Sequence, residues 1–192
     1  MSRRTLSIVV VAALLVGARA ASPTTIIPPT FDDLVARAET IFVGQAVDRR
    51  SEWEITRSGR SIITLVTFDV ARVLKGSPTI RTQLTFLGGS IDDTTMQVAD
   101  MPEFRVGDRD VLFVSGDRLA ASPIVGFAYG RFRIVRDPIS GADVVRTHDG
   151  RPLANTTDVT SRLALSLEKM VSMDLRDFES TVRQRVAALP KR

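Results

Sequence analysis

The hydrophobic pattern is most sustained between Ser61 and Gly76, SIITLVTFDVARVLKG, a β-branched run with no proline and no internal glycine. Val66, Phe68 and Val70 share one face while Leu65, Thr67 and Asp69 share the other, as the two-residue period of a strand requires. The apolar phase then slips, because Val73 is apolar on the opposite parity after Ala71 and Arg72. A one-residue slip predicts a β-bulge, which bends a strand and re-aims its side chains. A long, bent strand that serves two faces suits a small closed barrel better than a flat sheet.

The flanking patterns supply the other elements. Thr30 is placed as an N-cap with Asp33 three residues on, and Phe31, Leu34, Val35 and Ala38 follow at helical spacing, so a short helix is expected over 31–38. Strands are expected at 41–48, where Gly44 marks a bend or close backbone approach, at 79–87, and at 109–115. Residues 127–136 and 142–147 read as a hairpin across 137–141. Two connections are long: the charged segment 49–60, which carries Trp53 and a turn signal at Ser58-Gly59, and residues 88–107, where Met96, Val98 and Phe104 imply partial packing. A helical tail closes the chain. Leu163, Leu167, Met170 and Val171 form one face; Asp174 caps a second part in which Met173 staples onto Phe178. Its stripe of Leu175, Phe178, Val182, Val186 and Leu189 needs a partner surface. The expected fold is mainly β: an OB-like closed barrel of five to seven strands, with a short N-terminal helix and a C-terminal helical tail. Residues 30–153 would form the barrel, and 154–192 would pack on it.

The first twenty residues change how the charge is read. Arg3 and Arg4, an apolar run from Ile8 to Ala18 and the small residues Ala18 and Ala20 fit a secretory signal peptide cleaved after Ala20. The run is shorter than the roughly 20 residues that span a bilayer, so no stable membrane insertion is expected after cleavage. Residues 21–29 form a proline-rich leader. Without the signal, which holds three arginines and no acid, the formal net charge falls from +4 to +1. The basic balance therefore gives no reason to expect a nucleic-acid partner. The expected location is exported, periplasmic or extracellular.

The side-chain inventory excludes much chemistry. With no cysteine, disulfides, thiolate metal sites and cysteine nucleophiles are absent. His148 is the single histidine and lies in a THDG turn, which leaves serine triads and HExxH zinc sites without their residues. Asp32-Asp33 and Asp92-Asp93 are adjacent carboxylates, whereas acid–base pairs face each other across a cleft. Gly88-Gly89-Ser90 lacks the lysine of a phosphate loop. Arg131, Arg133 and Arg136 alternate with Phe132, which predicts an inward ring and solvated arginines. No catalytic residue, metal or cofactor is expected.

The blocks LVARAETIFVGQAV, TFDVARVLKG, TFLGG and FRVGDRDVLFV, in that order between Phe31 and Val114, resemble the netrin-like and tissue-inhibitor-of-metalloproteinases modules. The strand ending Val70-Ala71-Arg72-Val73-Leu74-Lys75-Gly76 and the segment Gly107-Asp108-Arg109-Asp110-Val111-Leu112-Phe113 carry the resemblance. It implies an OB-type barrel and a binding role. The metalloproteinase inhibitors place an N-terminal cysteine on the target zinc; this chain has none, so no inhibitory residue carries over.

The expected function is an exported, non-catalytic binding module whose partner is another exported protein. The alternatives are an envelope structural protein and a carboxylate-dependent hydrolase. Binding is expected on the two long connections, through Trp53, Asp92, Asp93 and Met96, with Trp53 as the anchor.

Overall fold

The structure is a computed structural model that describes residues 28–56, 59–116, 121–156 and 172–190. The chain is mainly β. After helix α1 (Phe31–Arg37) come β1 (Thr40–Thr56), β2 (Gly59–Lys75), β3 (Arg81–Leu87), β4 (Gly89–Ile91), β5 (Thr94–Met96), β6 (Arg109–Val114), β7 (Arg131–Arg136) and β8 (Asp143–Arg146), then helix α2 (Leu175–Ala187). Six strands form one sheet in the order β3-β2-β1-β6-β7-β8, every pair antiparallel, and β4 pairs with β5 in a separate hairpin. No pairing joins β3 to β8 among the described residues. The expected signal peptide, the expected leader up to residue 27, and the helical face of Leu163, Leu167, Met170 and Val171 lie outside the described residues.

The bulge read from the sequence is present. Val43 opposes Arg72 and Gly44 opposes Val70, so Ala71 is the extra residue on β2. Val66 and Phe68 belong to one core cluster, with Val70 packed against it, whereas Leu74 beyond the bulge belongs to the other. Contrary to the parity reading, Val73 does not take the inward place; it is 44% exposed, and Leu74 is buried instead. A further slip, at Leu74 between Phe42 and Ile41, displaces the simple alternation once more.

The bulged sheet carries a core on each face. On one side α1 and α2 cover β1, β6, β7 and β8: Phe31, Phe113, Phe132 and Phe178 meet edge to face or tilted, with centroids 4.9–6.5 Å apart. Both helix starts match their sequence signals. Thr30 and Asp33 form a capping box, and Asp174 accepts from the Arg176 amide at 2.8 Å. Arg72, carried to this face by the bulge, donates from Nε to the buried Glu179 of α2 at 2.8 Å. On the other side Phe42, Val66, Phe68, Leu84, Phe86 and Leu112 gather around Phe104, which descends from the connection after β5.

Two expected loops and strands are exchanged. Residues 49–60 are not a loop: β1 and β2 continue to Thr56 and Gly59 as a paired arm. Charged residues masked the strand, although the arm's partners on β2, Ile62 to Val66, are buried and, apart from Thr64, apolar. Conversely, β7 begins only at Arg131; Gly126 and Phe127 adopt positive φ, and the chain turns there.

Candidate functional site

The side of the sheet opposite the helices is crossed by residues 88–107, and this crossing makes two cavities. Gly88 and Gly89 have φ of 97° and 143°, and a Cβ on Gly89 would collide with the hydroxyls of Thr64 and Ser51. Glycine is therefore what lets the β4–β5 hairpin lie against the arm. Thr64 donates to the Gly88 carbonyl at 2.7 Å and meets the Ser51 hydroxyl at 3.0 Å, which fixes the crossing point.

The larger cavity, about 420 Å³, lies between this hairpin, the following connection and the sheet. Val66, Phe86, Leu87, Met96, Val98 and Met101 supply its apolar wall, and Arg49, Gln97 and Glu103 its polar rim. Arg49 and Glu103 form no ion pair among the described residues. Its size falls in the ordinary range for ligand pockets, and its lining mixes apolar and polar side chains. The Phe104 ring closes the inner end, with centroids 5.2 Å from those of both Phe68 and Phe86.

A buried ionic cluster holds Phe104 in place. Arg131 is 4% exposed and stacks its guanidinium 4.1 Å from the Phe104 ring centre. It donates to Asp110 at 2.8 and 3.2 Å, to Asp108 at 2.8 Å, and to the Glu103 carbonyl. Asp110 is fully buried, and burial pushes its carboxyl up from the ordinary range while the Arg131 charge pulls it down. Arg131 is thus the opposite of the solvated arginine expected from the alternation. Phe132 does point inward, at 1% exposure. The signal that could have found the cluster lies in β6, where Asp110 interrupts a buried apolar strand and so demands a cationic partner.

The second cavity, about 340 Å³, lies on the far side of this cluster and is lined by Asp100, Arg105, Asp108, Arg131, Arg133 and His148 among others. His148 meets Tyr129 edge-on with centroids 5.1 Å apart, and burial lowers its pKa from the ordinary imidazole value. No other imidazole exists in the chain to relay a proton.

Of the four residues expected to bind, the structure brings only Met96 to a cavity. Asp92 and Asp93 form the exposed β4–β5 turn, Asp92 with φ of 49°. Trp53 lies on the arm, 37% exposed, with the Arg60 guanidinium carbon 3.8 Å above its ring. No family model, curated protein or solved structure matches the chain.

Proposed function

We propose that this chain is an exported, non-catalytic binding module, and that another exported protein docks over the cavity between the β4–β5 hairpin and the sheet. The observation that supports this most is the cavity itself, open beside the arm, with an apolar wall and with Arg49 and Glu103 at its rim in no ion pair among the described residues. A partner side chain can enter such a site and find charge of either sign at the mouth. Against a hydrolase stands the placement of the acids. Asp92 and Asp93 sit together on a turn, and Asp108 and Asp110 are neutralised by Arg131. In this reading the long, bulged β1 and β2 coil the sheet towards an OB-type barrel, in keeping with the netrin-like resemblance.

A photo-cross-linking residue at Met96, compared with one at Ile139 on the β7–β8 turn, tests the proposal in the source cell. The expected result is a discrete protein adduct from Met96 and none from Ile139, which is 95% exposed. The mass spectrum of the same adduct should place the mature N-terminus at Ala21 or a close neighbour. Equal labelling from both sites, or no adduct, contradicts docking at the cavity; an intact Met1 contradicts export.

A further inference from the structure

β1 is paired with β2 along its whole length, but its other edge meets β6 only from Thr40 to Gln45. The loop before β6 extends that pairing to Ala46, through Asp108 and Gly107. From Asp48 to Glu54 the outer edge makes no backbone hydrogen bond among the described residues. Such an edge is a template for another strand, which proteins blunt with charged side chains, proline or a bulge. Here there is neither lysine nor proline, and the signs are mixed: Arg49 and Arg50 precede Glu52 and Glu54.

That order is complementary to itself. A two-fold axis perpendicular to an antiparallel ribbon keeps each side chain on its own side, so the axis passes midway between the two copies of one residue, which face each other. With the axis at Ser51, Arg50 of each copy faces Glu52 of the other, and Arg49 faces the exposed edge of Trp53. The single like-charge pair, Asp48 against Glu54, falls at the two ends, where Arg50 already lies 3.2 Å from Asp48. We infer that the free edge of the β1 arm, residues 48–54, joins a second copy of this chain in an antiparallel ribbon. The inference does not rest on the proposed binding role, and a monomeric chain would leave that role untouched.

The test is light scattering of the purified full chain over a dilution series, with a charge exchange. Arg50→Glu sets Glu against Glu52, and Glu52→Arg sets Arg50 against Arg. Each variant alone should weaken the dimer by at least about tenfold, while an equimolar mixture restores opposite pairs and should return the mass to two chains. Both side chains are about half exposed, so circular dichroism should show unchanged folding. Amide exchange of the unmodified chain gives a second reading: amides between 48 and 54 should slow in concentrated solution and quicken on dilution. A single-chain mass at every concentration, a dimer indifferent to both variants, or exchange independent of concentration overturns the inference.

Discussion

At Arg131 a guanidinium with 4% exposure is surrounded by two carboxylates, a carbonyl and an aromatic face. Removing one member of such a cluster leaves the other charge buried and uncompensated, which costs about 3–5 kcal/mol. Arg131→Met should lower the unfolding free energy in urea by that amount, and adding Asp110→Leu should recover most of it. A loss below about 1 kcal/mol would mean that the buried pair is not formed. Nothing in the spacing Arg131, Arg133, Arg136 distinguishes the buried arginine from its neighbours. The distinction comes from Asp110, supplied by a strand 21 residues away in sequence, so it is a tertiary property.

At the scale of elements, the caps and the bulge were legible because both depend on residues close in sequence. Thr30 and Asp33 satisfy each other within one turn, and the phase change after Val70 marks Ala71. The face taken beyond the bulge was not legible. Parity alone points to Val73, whereas a second slip turns Leu74 inward. Leu74→Ala should therefore cost about 2–5 kcal/mol, and Val73→Ala within about 0.5 kcal/mol of zero. The reverse order in a denaturation series would contradict the observed register. The arm was missed for a different reason: with no strand paired to its outer edge among the described residues, β1 from Asp48 to Glu54 carries charge where a core strand carries apolar residues.

Across the whole molecule, the β-rich class and the docking of the final helix followed from periodicity, since an unpartnered apolar stripe must be covered. Sheet order, the hairpin crossing and the cavities depend on contacts between distant segments, and only Met96 among the expected binding residues reached a cavity. The charge pattern also fixes the acid response. Hydrogen bonds from Thr30, Arg81, Ser140 and Arg109 hold Asp33, Asp69, Asp137 and Asp143 below the ordinary carboxylate range. Their contribution is fully present above the unfolded value of about 3.9 and is lost as pH falls through the folded values. Burial keeps the His148 imidazole neutral, so the unfolded chain takes that proton first, and stability begins to decline below about 6.5. Asp110 acts in the opposite sense, because its raised value lets the folded state take the proton first. The four surface carboxylates outnumber it. The melting temperature should fall as pH is lowered from about 7 to 3, with His148→Gln removing the shallow part that begins below about 6.5. A midpoint that stays level or rises towards pH 3 would contradict this assignment of charges.

The central claim is that a partner docks over the cavity lined by Met96, and the affinity of the cross-linked partner for a Met96→Glu variant tests it most directly. Met96 is partly exposed, so the substitution should leave the thermal midpoint nearly unchanged. It should weaken the complex by at least tenfold, about 1.4 kcal/mol, while Ile139→Glu leaves affinity unaltered. Equal affinity of the unmodified chain and the Met96→Glu variant would contradict the claim.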